Sequence, residues 1–377
     1  DHERQRHSKS LPILCNRSLL KHPPPLAQRP KFLYSMKKII ALFCLFVSFT
    51  ALAQDLQFSQ NYAVPALVNP AMTGIMNGNI RFNAAYRNQW NSLMPNTPFR
   101  SIFAAAEVAF SGFRAYDRLA AGVMVYNDKG GTVGINTNTF QVNLAYNAAL
   151  SETMYVSIGM SGGILQKSLD LSAAQFGNQY EGAYNASLPT GEIWTNTNLS
   201  RPDLGAGVLA YWTPSLRKNL FMGMGMYHVL RPDFGFTGYT KDILKGKMSA
   251  QVGGSFPISE KIDIVPSLYF INQQQAYQLM GGGFMRYIFD YQRRTGLEKA
   301  LSIGTWARMV GGTQASLAAI IPVIKLDYDN LAVGVSYGVA TNQLRTATSG
   351  NGGLEISLSY IVKTPQQQKK VVDCPRF

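Results

Sequence analysis

Charge is what this sequence has least of. Only 15% of its 377 residues are Asp, Glu, Lys or Arg, against about 25% in an average soluble domain, so the chain is short of the groups that keep a globular surface in water. Beyond residue 53 it also lacks any apolar run approaching the ~20 residues of a membrane helix. That argues against a helical membrane protein. Only helices and closed barrels satisfy the backbone in hydrocarbon, so a charge-poor chain without long apolar runs points to a barrel.

Chemistry is equally sparse. Cysteine occurs three times and histidine four times, and beyond residue 53 only Cys374 and His228 remain. One of each builds no intramolecular disulfide and no cysteine- or histidine-based metal centre. A Ser-His-acid triad would have to use His228, which shares a strand face with Met222, Met224 and Met226 and is expected at the lipid interface near a strand end. Gly281, Gly282 and Gly283 lack the strand-to-helix context of a phosphate-binding loop. No enzymatic activity and no cofactor are expected. The net charge of +14 is not a nucleic-acid footprint, because residues 1–53 hold half of it and no basic run interleaved with aromatics follows.

What is present is alternation. In Leu331–Ala340, Leu331, Val333, Val335, Tyr337 and Val339 alternate with Ala332, Gly334, Ser336, Gly338 and Ala340, the period of a strand with one bulky apolar face and one small face. The same pattern returns at 79–90, 101–109, 118–126, 139–148, 153–166, 202–213, 219–229, 247–256, 262–271, 276–290, 297–309, 313–328, 330–340 and 352–362. These spacings predict an all-β transmembrane outer-membrane barrel over residues 79–362, with about 14 antiparallel strands close to the ~9 to 11 residues needed to cross tilted. A soluble sandwich would carry Lys and Glu on its second face. Here that face is Gly, Ser, Ala and Asn, and Tyr86, Trp90, Tyr146, Trp212, Tyr287 and Phe289 fall near strand ends, as an interfacial girdle requires.

Arginine fixes which face is inside. In 79–90, Arg81, Asn83, Ala85, Arg87 and Gln89 oppose Ile80, Phe82, Ala84 and Tyr86, and arginines on a membrane strand must point away from lipid. The inward polar set is Arg81, Arg87, Gln89, Glu107, Gln141, Asn143, Gln251, Arg286 and Arg308, expected to brace the wall through hydrogen bonds. A sharper expectation pairs Arg87 with Glu107 on neighbouring strands, to hold a plug or select a solute. Even-numbered connections are short and the longest, 167–201 and 230–246, are odd-numbered. That places both termini on the short-turn, periplasmic side.

At the N-terminus, Met36, Lys37 and Lys38 open a charged region, 39–49 is apolar, and Ala51-Leu52-Ala53 is a small-residue cleavage signal, so 36–53 is a secretory signal peptide. Residues 1–35 look like translated upstream sequence. Residues 54–78 have no clean period and carry Pro65 and Pro70, and this leader is expected on the periplasmic side, plugging the lumen. The loop 170–199, with Tyr180, Tyr184 and Trp194, is a candidate docking surface, and 363–377 is a periplasmic tail.

Phe58-Ser59-Gln60, then Asn69-Pro70-Ala71 with Gly74, then Tyr86-Arg87-Asn88-Gln89-Trp90, resemble in order and spacing the start of the PorP/SprF family of Bacteroidetes outer-membrane proteins. The ending Cys374-Pro375-Arg376-Phe377 is similar too. The resemblance implies a type IX secretion and gliding-motility component with a FadL-like plugged barrel. Its partners would be outer-membrane lipid and either the C-terminal sorting domain of a large secreted adhesin or the periplasmic secretion core. A channel for apolar or small solutes is the alternative. N-terminal sequencing of the protein purified from outer membranes is expected to read Gln54 first; a start upstream of residue 36 would contradict the processing scheme.

Overall fold

The computed structural model describes residues 55, 57–114, 116–131, 134–215, 217–292, 297–312 and 315–362. The upstream stretch, the signal peptide and the tail with Cys374, Pro375, Arg376 and Phe377 lie outside the described residues.

Alternation becomes one closed antiparallel sheet. Its strands are β1 (Ile80–Gln89), β2 (Phe99–Ser111), β3 (Arg118–Gly130), β4 (Ile135–Ala149), β5 (Met154–Ser168), β6 (Asn198–Ser215) and β7 (Lys218–Tyr227). They continue as β8 (Lys247–Pro257), β9 (Ile262–Gln273), β10 (Ala276–Gln292), β11 (Leu297–Gly311), β12 (Ser316–Tyr328), β13 (Leu331–Ala340) and β14 (Asn351–Val362). Each pairs with its neighbours in sequence, and β14 closes on β1 in a register running from Ile80 opposite Val362 to Gln89 opposite Gly353. Closure leaves the sheet no free edge, which is how a sheet survives in hydrocarbon.

All fourteen expected segments are strands, and most are longer than their apolar pattern. β3 runs on through Asn127, Asp128 and Lys129, paired with Asn138, Thr137 and Asn136 of β4. The ladder there is polar, beyond the stretch where side chains must alternate between lipid and lumen, so hydrophobic periodicity cannot see it. Two prolines interrupt pairing from within. Residues 321 and 322 of β12 drop out of the β12–β13 ladder around Pro322, and 265 and 266 of β9 drop out of the β8–β9 ladder around Pro266, as a residue without an N–H does in a sheet.

The two faces differ as an outside in lipid demands. Ile158, Met160 and Met285 are each more than 60% exposed and Phe82, Ile102, Leu144, Ile303 and Val335 more than 40%, and such residues encircle the barrel. Soluble monomers rarely expose contiguous apolar surface on that scale. Arg81, Arg87, Glu107, Gln141, Asn143, Gln251, Arg286 and Arg308 point inward and are buried, as their alternation predicts.

The barrel surrounds a chain segment rather than empty space. Residues 57–78 form short helical turns at Asn61–Ala63, Pro65–Val68 and Pro70–Met72, and most of the stretch is fully buried. Phe58, Val64, Leu67, Met72 and Ile75 form one apolar cluster with Phe103, Met124, Tyr211, Tyr269 and Trp306 of the wall. Gly78 lies at the short-turn rim beside Val362. Asp55 lies at the opposite rim, bonded to His228, Lys247 and Gln273 where the long connections begin. The segment therefore runs the length of the lumen, with its first residues at the long-connection rim.

His228 corrects its expectation. Counting by twos along β7 places it outward with Met226, but β7 ends at Tyr227 and His228 adopts φ 57. A left-handed residue breaks the alternation, and the imidazole turns inward to become 3% exposed. An outward lysine or arginine tests the lipid face. Val335→Arg is expected to lower stability in lipid vesicles by about 2–4 kcal/mol, measured by reversible urea unfolding; no change would contradict hydrocarbon contact.

Candidate functional site

Inward arginines on membrane strands need partners, and the register decides which. Glu107 stands opposite Arg81 across β1 and β2, and their ion pair is 2.7 Å long. Glu355 stands opposite Arg87 across β1 and β14, and these two pair at 3.3 Å. The expected Arg87 to Glu107 pair does not form, because the same register places Ser101 opposite Arg87. Gln89 instead accepts a hydrogen bond from Arg87 at 2.6 Å.

Each ion pair also holds the inner segment. Glu107 accepts the Gly74 N–H at 2.8 Å, and Arg81 donates to the Ile75 carbonyl at 3.0 Å. Glu355 accepts the backbone N–H groups of Ser59 and Gln60 and the Ser59 hydroxyl. Arg87 donates to the Gln57 carbonyl and Arg308 to the Ser59 hydroxyl. Lower down, Arg118 donates to the Met76 and Gly78 carbonyls. A segment without sheet or long helix leaves backbone groups unpaired, and in a lumen those must bond to the wall.

The residues that carry the family resemblance are those that meet the wall. Phe58 packs edge-on against Phe103 with centroids 6.2 Å apart. Gln60 donates to Ser336 and the Glu355 carbonyl and accepts from Tyr62 and Ser357, so all its amide atoms are used. Asn69 caps the turn that Pro70 begins, accepting the Ala71 N–H, while its amide donates to the Val208 carbonyl at 3.0 Å. The Ala71 carbonyl accepts from Ser157 at 2.7 Å. Gly159 and Gly207 let this turn lie directly on β5 and β6, where any Cβ would strike Pro70 or Asn69. Gly74, at φ 73, supplies the left-handed residue that brings its N–H to Glu107.

Of the other inward candidates, Gln141 donates to Asp203 at 2.9 Å and Gln251 contacts the Met72 sulfur. Asn143 is fully buried with no protein partner for its amide among the described residues. Arg286 lies apart, near the short-turn mouth, ringed by Asp263, Glu298 and Asp327.

At the long-connection rim an ion cluster holds the start of the segment. The Asp55 carboxylate meets the His228 Nε2 and lies 3.6 Å from Lys247 Nζ, and the His228 Nδ1 is 3.0 Å from Asp203. Burial opposes the charged imidazole, but the Asp55 carboxylate outweighs it, and the His228 pKa is pushed up to about 9. Burial likewise works against the Asp55 charge, yet His228 and Lys247 hold its carboxyl below the usual carboxylate range. The arrangement is a latch. It offers no triad, since no serine or cysteine hydrogen-bonds His228 among the described residues.

Outside, the two long connections 169–197 and 228–246 join. Thr195 and Asn196 bond to the Phe236 carbonyl, Arg201 donates to the Asp233 carbonyl, and Phe234 packs with Leu165 and Leu199. Tyr180 and Tyr184 are exposed, whereas Trp194 packs against Phe176 and is half-buried. The sequence analysis missed Tyr239, 79% exposed on the second connection; an aromatic inside the turn signal Thr237-Gly238-Tyr239-Thr240 was the available cue. It also missed Glu355 and Asp203, whose positions among small inward residues of β14 and β6 marked them as lumenal.

A sequence profile described as type IX secretion system membrane protein PorP/SprF matches residues 50–360. No curated protein matches the chain. Among solved structures it is similar to the toluene transporter TbuX of Ralstonia pickettii, at 9% identity over 79% of this chain and 92% of that one, TM-score 0.46. The toluene transporter TodX of Pseudomonas putida is similar at 9% identity over 82% and 98%, TM-score 0.46. A FadL homologue of Pseudomonas aeruginosa is similar at 11% identity over 79% and 94%, TM-score 0.42.

Two measurements test the site. Glu355→Gln leaves Arg87 buried without its partner and is expected to cost about 3–5 kcal/mol, whereas Arg87→Met combined with Glu355→Gln costs less than either change alone. Equal or additive losses in a double-mutant cycle of unfolding would contradict a coupled pair. For the latch, a histidine whose pKa is raised on folding stabilises fully below its unfolded value near 6.5 and loses that contribution as pH rises through about 9. The melting temperature is expected to fall between pH 7 and 10, and His228→Asn, which keeps Asp55, Asp203 and Lys247, is expected to flatten that dependence; an unchanged slope would contradict it.

Proposed function

The chain belongs to the type IX secretion system membrane protein PorP/SprF family, and from that premise we propose that it is a non-enzymatic outer-membrane barrel that assists export and surface attachment of a large secreted adhesin in gliding motility. The observation that carries this proposal is the occupied lumen. Residues 57–78 bond to β1, β2, β5, β6, β8, β13 and β14, so the segment acts as a permanent plug and the barrel works through its rims.

Long connections of outer-membrane barrels face outward, so the platform bearing Tyr180 and Tyr239 meets the cargo's C-terminal sorting domain. The short-turn rim meets the periplasmic secretion components. Exposed tyrosines on a platform with its own small core suit docking, because they present large rigid contacts at little entropic cost.

Affinity purification from detergent-extracted membranes with mass spectrometry tests the proposal. A stoichiometric secreted or periplasmic partner is expected, and Tyr180→Ser with Tyr239→Ser is expected to weaken recovery of the secreted one about tenfold or more. Uptake of apolar or small solutes into liposomes by the barrel alone, without such a partner, would overturn it in favour of a channel.

A further inference from the structure

The occupied lumen leaves an open space at one of its mouths. At the short-turn mouth, beneath Tyr62 and Ile75, lies a cavity of about 150 Å³, room for a single side chain on the scale of a benzene-sized void. Its lining mixes apolar side chains such as Ile75, Val265 and Ile361 with polar and charged ones. Asn83, 4% exposed, has its amide nitrogen buried with no partner among the described residues, and so does the Asn330 side-chain oxygen. Asp329, at φ 56 in the two-residue turn between β12 and β13, makes no ion pair among the described residues. By contrast the charges deeper in the cavity are already engaged: Arg286 with Asp263, Glu298 and Asp327, and Lys325 with Asp327 and over the Tyr62 ring at 5.4 Å.

An open carboxylate beside an amide donor and an amide acceptor is the recognition chemistry of a basic peptide: an ammonium for the carboxylate, backbone groups for the two amides. Apolar solutes would leave those buried polar atoms unpaired, a cost of roughly 1–3 kcal/mol each. The chain itself supplies such a peptide at this spot. β14 ends at Val362, and Ser359 and Ile361, on its last turn of ladder, line the cavity. Residues 363–377 follow, with Lys363, Lys369, Lys370 and Arg376 against the single acid Asp373, and with amides at Gln366, Gln367 and Gln368. Fifteen residues reach up to ~50 Å when extended, so a lysine several residues past Val362 can fold back to Asp329.

We propose that the cavity at the short-turn mouth is the binding site for the chain's own basic C-terminal tail, a lysine entering beside Asp329 and peptide groups meeting Asn83 and Asn330. The site is independent of the adhesin-export proposal and of the outer platform. When docked, the tail completes the lumenal filling at this mouth; when displaced, it is a handle on the side where secretion components assemble.

Cys374 gives the test a native probe. In a chain with Cys15 and Cys44 replaced by Ser, Asn330→Cys or Ser359→Cys places a second thiol in the cavity, and Ser151→Cys places one on an exposed turn of the same rim outside it. The detergent-solubilised protein is treated with a short bis-maleimide and intramolecular links are quantified by mass spectrometry, using only variants that keep the heat-modifiable mobility of a folded barrel. Links from Cys374 to Asn330→Cys or Ser359→Cys several-fold above those to Ser151→Cys, falling to the Ser151→Cys level with Lys369→Glu and Lys370→Glu, support the proposal. Equal linking at all three positions describes a free tail, and Cys374 linking only to another protein describes a partner segment; either result overturns it.

Discussion

A closed sheet in hydrocarbon turns the arginines of its lipid-crossing stretches inward, and an arginine inside must find acceptors. From that constraint the rest follows. Arg81 finds Glu107 and Arg87 finds Glu355, but neither pair is complete with wall residues alone, since each carboxylate has further lone pairs and each guanidinium further N–H groups to satisfy. Residues 57–78 add backbone partners to both pairs. A segment that satisfies buried charges is not easily expelled, because its departure would strand several of them at once.

The same economy explains why the inner segment can be irregular. Its turns need no lattice of their own, because Asn69, Pro70 and Ala71 fit a shelf that Gly159 and Gly207 leave on β5 and β6, and Ser157, Ser249 and Tyr227 donate to carbonyls that a longer helix would have used itself. The barrel has its apolar core between segment and wall rather than within the wall.

Much of this was legible in the sequence, for a reason of periodicity. Lipid outside and a crowded lumen inside impose a two-residue repeat on every strand, so all fourteen strands and the inward set from Arg81 to Arg308 could be read directly. What the repeat does not encode was misread or missed. A single left-handed residue at 228 sends the imidazole inward. The pairing of Arg87 depends on the register of β1 with β14, which joins residues nearly the whole chain apart. The path of residues 57–78 is dictated by wall contacts on many strands, and a segment without a period carries no local record of them. The motif Asn69-Pro70-Ala71 was visible as a resemblance, while its physical meaning, a capped turn seated on glycines, needed the fold.

The central claim is that the inner segment occupies the lumen permanently through its buried anchors at Glu107 and Glu355. Single-channel recording of the intact protein in planar bilayers tests it most directly. The account predicts no stable open level in the wild-type protein, and stepwise conductance once Glu107 and Glu355 are both replaced by Gln in a barrel that still inserts. A large, steady conductance from the unaltered protein would contradict it.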